Sequence, residues 1–410
     1  MKLLVVGLNY APEPVGIGPY TTGLAESFAA RGHEVTVVAG KPYYPQWRPY
    51  EGEPRGTSTR QENGVTVTRV PHYIPAEPNG PRRIAHQATF AASAYGPVMA
   101  AARAGPDLVF TIAPSLLAVP VAARAARKAG APLWLHVQDF EVEAAFATGL
   151  LNGKSTFARA ASNLEARILG TADVVSSISP QMCEKLVAKG IAADRVFELR
   201  NWSNAAFRFC DADDAAYRRE WRLGDRHVAL YSGNIGNKQG LEIILDAARL
   251  LSARKDIIFV ICGEGPHRRS LEGRARGLDN VQFHDLQLAE RMADLLSLAS
   301  VHLLPQIIGA ADLVLPSKLT NILASGRPVV ATAAPGTGLH AEVEGCGINT
   351  APGDAQAMAD AIAMLVDDPA RREALGRAAQ ERAAERWSRD AIIARLEEQA
   401  EKLLEKTRPR

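Results

Sequence analysis

Short apolar runs, each closed by glycine, proline or a polar loop and followed by a helical pattern, most constrain what this chain can become. Lys2 to Gly7 is the first, followed by a loop holding Pro12, Pro14, Gly16 and Gly18. A helical pattern with Leu24 and Phe28 one turn apart then stops at Arg31-Gly32, and Glu34 to Ala39 is the next run. The chain therefore opens as β-loop-α-β, the unit of a parallel sheet. Val65 to Val70, Leu108 to Ile112, Leu133 to Val137 and Asp173 to Ile178 extend it, with crossovers such as PSLLAVPVAARAARKAG between most of them. Runs this continuously apolar predict strands buried on both faces, as in a doubly wound α/β domain.

The pattern then restarts. Val228 to Ser232, Ile257 to Cys262, Val281 to Phe283, Val301 to Leu304 and Pro328 to Thr332 form a second set, separated by helices such as Leu241 to Ala253 and Glu290 to Ser297. Leu199 to Trp221 lies between the sets and reads as the linker. A chain of 410 residues is too long for one ordinary core, which agrees with two domains. The expected division is a first domain over 1–200, a second over 201–385, and a terminal helix over 386–410 returning to the first. Asp367-Asp368-Pro369 and Ser388 are expected helix starts.

Composition excludes several classes. A formal net charge of +2, with no block of Lys and Arg, gives no general pull toward nucleic acid. Cys183, Cys210, Cys262 and Cys346 stand far apart without a C-x-x-C pair, so neither a zinc site nor a disulfide framework is expected, and a reduced cytoplasm fits. The apolar start breaks at Asn9 and is a first strand, not a signal peptide. No apolar run approaches the roughly 20 residues that span a bilayer. The Ala-rich stretch Ala88 to Ala102 reads as broken at Gly96-Pro97, so any membrane contact is expected to be peripheral.

Candidate chemistry clusters where strands end. In GAADLVLPSKLTNILASGRPVV, Pro316 and Ser317 open a helix carrying Leu319, Ile322 and Leu323, and Gly326 ends it. Free N–H groups and Lys318 at its start suit an anion, although Pro-Ser also caps ordinary surface helices. Gly16 and Gly18 follow the first strand, where an open sheet binds phosphate, but Thr21 stands where a dinucleotide fingerprint needs its third glycine. Gly233, Asn234 and Lys238 follow the strand ending at Ser232, and Gly263 and Gly265 follow the one ending at Cys262. Glycine turns there allow close backbone approach to a ligand or serve as plain turns. His136 and Asp139 end a strand of the first domain, as an acid–base pair or as structural groups. Asp211-Ala212-Asp213 invites a metal reading, but its place ahead of a charged helix start favours a cap. Lys41 to Tyr50 (KPYYPQWRPY), with Arg82 and Arg83, mixes aromatics and cations as a lipid interface does, or is a packed loop edge.

The segments GLNYAPEPVGIGPYT, AGKPYYPQW, LHVQDFEVEA, LRNWSN, LYSGNIGNKQGLE and GAADLVLPSKLTNILASGRPVVATA resemble family-4 retaining glycosyltransferases of the GT-B fold. They are similar to the colanic-acid-type fucosyltransferases and relatives that transfer N-acetylfucosamine in surface polysaccharide assembly. The resemblance implies two Rossmann-like domains facing across a cleft. It also implies a GDP- or UDP-linked sugar donor, a polyprenyl-diphosphate-linked saccharide acceptor, no metal, and a place at the inner face of the membrane. By it, Pro316, Ser317, Lys318 and Lys238 hold the donor diphosphate, Gly16 and Gly18 approach it from the other side, and His136 and Asp139 lie by the donor sugar. The resemblance is imperfect: Asn234 replaces an arginine of the wider family, and its paired glutamates fall at Leu313 and Asn321. Asn321 and Asp312 are the remaining candidates for ribose and sugar contacts. A sugar-nucleotide epimerase or a non-catalytic sugar-nucleotide sensor of the same fold are the alternatives.

Overall fold

The computed structural model describes residues 1–14, 16–77, 80–140, 156–202, 213–236, 239–307 and 318–407. It divides into two compact units, Met1–Asn201 with Ile392–Arg410, and Trp202–Ala391.

In the first unit β1 (Lys2–Gly7), α1 (Gly18–Ala30), β2 (Glu34–Gly40), β3 (Ser58–Glu62) and β4 (Val65–Val70) lead to the long helix α2 (Gly80–Ala102). Then come β5 (Leu108–Ala113), α3 (Val119–Ala129), β6 (Leu133–Val137), α4 (Thr156–Leu169), β7 (Val174–Ser177), α5 (Pro180–Ala188) and β8 (Val196–Glu198). The sheet order is β3-β4-β2-β1-β5-β6-β7-β8. Every pairing is parallel except β3 with β4. All six residues of β5 are buried, which is why its sequence LVFTIA shows no alternation. The edge strand β3, STRQE, is exposed and polar, as an edge must be to avoid pairing with other chains. One expectation is corrected here: α2 is not interrupted at Gly96-Pro97 but runs through Pro97. A residue before proline is pushed out of the helical region partly by its own Cβ, and Gly96 has none.

The second unit runs α6 (Ala215–Glu220), β9 (His227–Ser232), α7 (Glu242–Leu250), β10 (Ile257–Cys262), α8 (Arg268–Arg274), β11 (Val281–His284), α9 (Met292–Ser297) and β12 (Val301–Leu304). It continues with α10 (Lys318–Ala324), β13 (Val329–Thr332), α11 (Gly338–Val343), β14 (Gly347–Thr350), α12 (Ala355–Asp367) and α13 (Pro369–Trp387). Its sheet, ordered β11-β10-β9-β12-β13-β14, is parallel throughout. Both sheets are doubly wound: the strand order reverses between β1 and β5 in the first and between β9 and β12 in the second, and ligands of such sheets bind beyond the carboxyl ends there.

The last helix, α14 (Arg389–Thr407), enters the first unit from Ile392 onward. Ile392, Ile393, Leu396 and Ala400 are buried, and Glu397 accepts hydrogen bonds from Arg31 (2.8 Å) and His33 (2.5 Å). Burial works to raise the Glu397 pKa, but those two partners outweigh it and lower it. Asp368 caps α13 by accepting from the Arg371 N–H at 2.9 Å. Asp213 likewise accepts from the Ala215 N–H at 2.8 Å beside α6, a capping role, while Asp211 lies outside the described residues.

Helix α13 also braces α10. Leu319, Ile322 and Leu323 pack with Ala379, Ala383 and Trp387, and a Cβ at Gly376 would lie 2.3 Å from the Gly326 carbonyl oxygen. Gly376→Ala is therefore expected to destabilise the protein by about 1–3 kcal/mol through overpacking. Gly273 of α8, whose added Cβ meets nothing within 4 Å, should tolerate alanine or gain up to about 1 kcal/mol. Chemical denaturation of the two variants should give shifts of opposite sign.

Candidate nucleotide-sugar site

The second unit's switch point lies beyond β9 and β12. Two glycine loops meet there backbone to backbone. Gly233 N–H donates to Cys262 O (2.9 Å), Ile235 N–H to Glu264 O (2.8 Å) and His267 N–H to Ile235 O (3.1 Å). A Cβ on Gly263 would sit 1.9 Å from Gly233 O, and one on Gly265 2.2 Å from Ile235 O, so only glycine permits the contact. Beyond β12, Thr332 Oγ1 accepts from Gln306 N–H (2.7 Å) and fixes the chain leading toward residue 308. Gly240 packs on that same turn, where an added Cβ would fall 2.7 Å from Ile307 Cγ2.

Lys318, the first residue of α10, reaches into this corner. Its Nζ donates to Tyr231 Oη at 2.8 Å and stands 4.0 Å from the centre of the Tyr231 ring. The Tyr231 hydroxyl in turn donates to Asn234 O at 2.6 Å. A Cβ on Gly233 would come within 3.0 Å of the Lys318 ammonium. Among the described residues no carboxylate pairs with that ammonium, and burial lowers its pKa to about 8. Desolvation opposes the charge, while the ring face and hydroxyl favour it. The result is a cation at the carboxyl end of a parallel sheet that has Tyr231 and no carboxylate as its partner among the described residues, which suits a phosphate.

The structure thus brings together Lys318, Gly233, Asn234, Gly263 and Gly265, with Asn321 one turn further along α10 and half-buried. Lys238, Asp312, Pro316 and Ser317 lie outside the described residues. Tyr231 was not singled out by sequence, because LYSG reads as the end of a buried strand.

The first unit has a counterpart at its own switch point. Gly7, Asn9, Ile17, Thr21, Ile112 and Ser115 line a small pocket, and Ser115 Oγ is buried there without a hydrogen-bond partner among the described residues. Gly16, with φ +74°, packs under the Tyr44 ring, and Gly18 begins α1. Sequence reading also missed Glu13, buried between the two prolines of this loop. Its Oε1 accepts from the N–H groups of Tyr43 (2.9 Å) and Tyr44 (3.0 Å), and its Oε2 from Asn9 (2.8 Å). Glu13 therefore binds the glycine loop to the aromatic loop.

His136 sits on β6 only 4% exposed, with Nδ1 2.9 Å from Ser176 Oγ, which also accepts from Trp134 Nε1 at 2.8 Å. Burial pushes its pKa down to about 3, so the imidazole is neutral in ordinary buffers. Asp139, three residues on, is exposed. In the KPYYPQWRPY loop Lys41 is 6% exposed and held by Ser58 (2.8 Å) and Glu53 (3.4 Å), and Tyr43 is buried among Trp47, His72 and His86. That half of the loop is a packed edge.

Two doubly wound sheets, the second with a cation at its switch point, are the architecture of two-domain GT-B glycosyltransferases. Solved structures agree on the fold. Anabaena HepE in complex with UDP superposes with a TM-score of 0.70 at 17% identity, covering 98% of this chain and 100% of that one. Sucrose-phosphate synthase of Thermosynechococcus elongatus gives 0.72 at 20% identity, covering 99% and 100%. In sequence, residues 15–202 match the glycosyl transferase 4-like domain and residues 226–368 match glycosyl transferases group 1. WcaI of Escherichia coli K12, named as a putative glycosyl transferase of colanic acid biosynthesis, is 44% identical over 341 residues, covering 81% of this chain and 83% of WcaI. The alpha-D-kanosaminyltransferase of Streptomyces kanamyceticus is 34% identical over 209 residues, 49% of this chain and 53% of that protein. The chain belongs to this glycosyltransferase family.

Because Lys318 loses its charge as pH rises through about 8, kcat/KM should fall on the alkaline side of that value. Tyr231→Phe removes the oxygen that accepts from the ammonium. The charged form then loses a stabilising partner, and the alkaline limb should move to lower pH with roughly a tenfold loss in kcat/KM. A pH–rate profile of both proteins checks this.

Proposed function

We propose that the chain is a retaining, metal-independent glycosyltransferase. It moves a fucose-type sugar, fucose or N-acetylfucosamine, from a GDP- or UDP-linked donor to a polyprenyl-diphosphate-linked saccharide during surface polysaccharide assembly, at the inner face of the membrane. The observation that carries this reading is the Lys318 ammonium, buried beside Gly233 with no carboxylate partner among the described residues. A charge left in that state needs an anion, and the diphosphate of a sugar nucleotide supplies one. WcaI, named for colanic acid biosynthesis, supports the polysaccharide context, and HepE, solved with UDP, supports a nucleotide in this fold.

In the proposed reaction the bond between the sugar's anomeric carbon and the diphosphate breaks, and negative charge grows on the departing oxygen. Lys318 stabilises that charge more in the transition state than in the ground state, which is how it accelerates the step. The acceptor hydroxyl bonds to the anomeric carbon on the same face, and its proton passes to the leaving diphosphate. His136, neutral by burial, does not serve as an imidazolium acid.

Thermal-shift titration with GDP-fucose and UDP-N-acetylfucosamine should stabilise the wild-type protein with one of them. Lys318→Ala should fold normally, weaken that donor by roughly tenfold to a hundredfold, and reduce transfer at least as much. Near-normal turnover by the variant would sink the assignment. EDTA should leave turnover unchanged; a loss reversed by Mg²⁺ would remove the metal-independent part of the proposal.

A further inference from the structure

Among the described residues of the second unit, the buried side-chain atoms without a hydrogen-bond partner are Gln239 Oε1, Asn280 Oδ1, His302 Nδ1, Gln306 Oε1 and Asn349 Oδ1. Three of these belong to groups whose other end is used. Asn280 Nδ2 donates to Ala248 O (2.8 Å), Asn349 Nδ2 to His340 O (2.9 Å), and His302 Nε2 lies 3.2 Å from Ser325 Oγ. The side-chain amides of Gln239 and Gln306 have no hydrogen bond at either end within the described residues.

Both stand at the switch point. Gln239 is in the loop from β9 to α7, and Gln306 is two residues beyond β12. The two stretches touch: a Cβ on Gly240 would fall 2.7 Å from Ile307 Cγ2 and 3.8 Å from the Gln306 carbonyl carbon. Gln239 Oε1 folds back over Gly236, 2.8 Å from where a Cβ would stand, and Asn234 Nδ2 is 3.2 Å from the same point. Thr332 Oγ1 accepts from the Gln306 N–H (2.7 Å) and donates to its carbonyl (3.0 Å), so the backbone of Gln306 is committed and its side chain is not. The Lys318 ammonium approaches Gly233, at the start of the loop that holds Gln239.

A buried acceptor oxygen without a donor destabilises a folded chain, and two in one corner call for a ligand that donates. A diphosphate cannot do so, since it is itself an acceptor. A sugar can, through its hydroxyls. The glutamates that the wider family would offer such hydroxyls are replaced by Leu313 and Asn321. We infer that Gln239 and Gln306 read the sugar of the donor, their amide oxygens accepting hydrogen bonds from its hydroxyl or N–H groups beside the diphosphate that Lys318 holds. This rests on the donor reading proposed above. Each amide sits on a side chain with three rotatable bonds, which turns to meet the sugar, and being neutral it accepts without setting a second negative charge against the diphosphate.

Gln239→Met and Gln306→Met keep the length of the side chain and delete the acceptor. Calorimetric titration with UDP against UDP-N-acetylfucosamine, and with GDP against GDP-fucose, tests them. Each variant should bind the free diphosphate like the wild type, while its affinity for the matching sugar nucleotide and its kcat/KM fall roughly tenfold. Both should melt at or above the wild-type temperature, because an unpartnered buried oxygen has been removed; an amide with only a structural role would give a lower one. Wild-type affinity of both variants for the sugar nucleotide, an equal loss of the free diphosphate, or a lower melting temperature overturns the inference. So does a wild-type protein that binds the diphosphate and the sugar nucleotide equally. Lys318→Ala should weaken both ligands alike, so failure of the diphosphate reading appears in the free nucleotide and failure of this one in the increment that the sugar adds.

Discussion

A desolvated ammonium with no carboxylate partner among the described residues is the constraint on which the second unit depends. Removing a charge from water costs several kcal/mol unless the surroundings replace the lost solvation. Tyr231 does so in part, with its ring face and its hydroxyl, and the glycine at 233 leaves room for the ammonium to approach the backbone. The neighbouring elements hold that arrangement still. Tyr231 is anchored in a strand between β10 and β12, and its hydroxyl is oriented by Asn234 O. Helix α10 is pinned from behind where α13 crosses the Gly326 turn. Little is left to reorganise when an anion arrives, and such preorganisation is what electrostatic catalysis requires.

The same criterion separates working groups from structural ones elsewhere. Glu13 is a buried carboxylate, yet two backbone N–H groups and an amide already satisfy it. Lys41 is as buried, but Glu53 and Ser58 consume its charge. Both belong to the scaffold. Ser115 and Lys318 are different in kind. One is a hydroxyl with no partner and the other a cation with no anion among the described residues, and both stand at switch points of their sheets.

Strands buried on both faces were legible because their sequences carry no alternation, as in LVFTIA and IIFVIC, and their repetition after residue 226 revealed the second domain. The edge strands β3 and β14 were not. STRQE and GINT are polar or small because edges face water, so composition hides them. Asn63-Gly64, with φ of 48° and 82°, is the turn signal that could have exposed the β3–β4 hairpin. Proline misled in α2, since its steric rule fails after glycine. At the site, Lys318 stood out as a cation beside a helix start. Tyr231 could not, because its importance arises from a contact across 87 positions of sequence that only the folded sheet creates.

The first unit is not a continuous stretch of chain. It holds Met1–Asn201 and resumes at Ile392, so Trp202–Ala391 is in effect an insertion within it. Arg31 and His33 are therefore separated from Glu397 by 366 and 364 positions of chain, and they wait for it while the second unit is made. A ribosome releases the second unit's sequence before the residues that complete the first. A chain cut after Asn201 would leave the surface that receives Ile392, Ile393 and Leu396 bare. The unit made first is finished last, and its exposed apolar seam during that interval is where a chaperone would find something to hold.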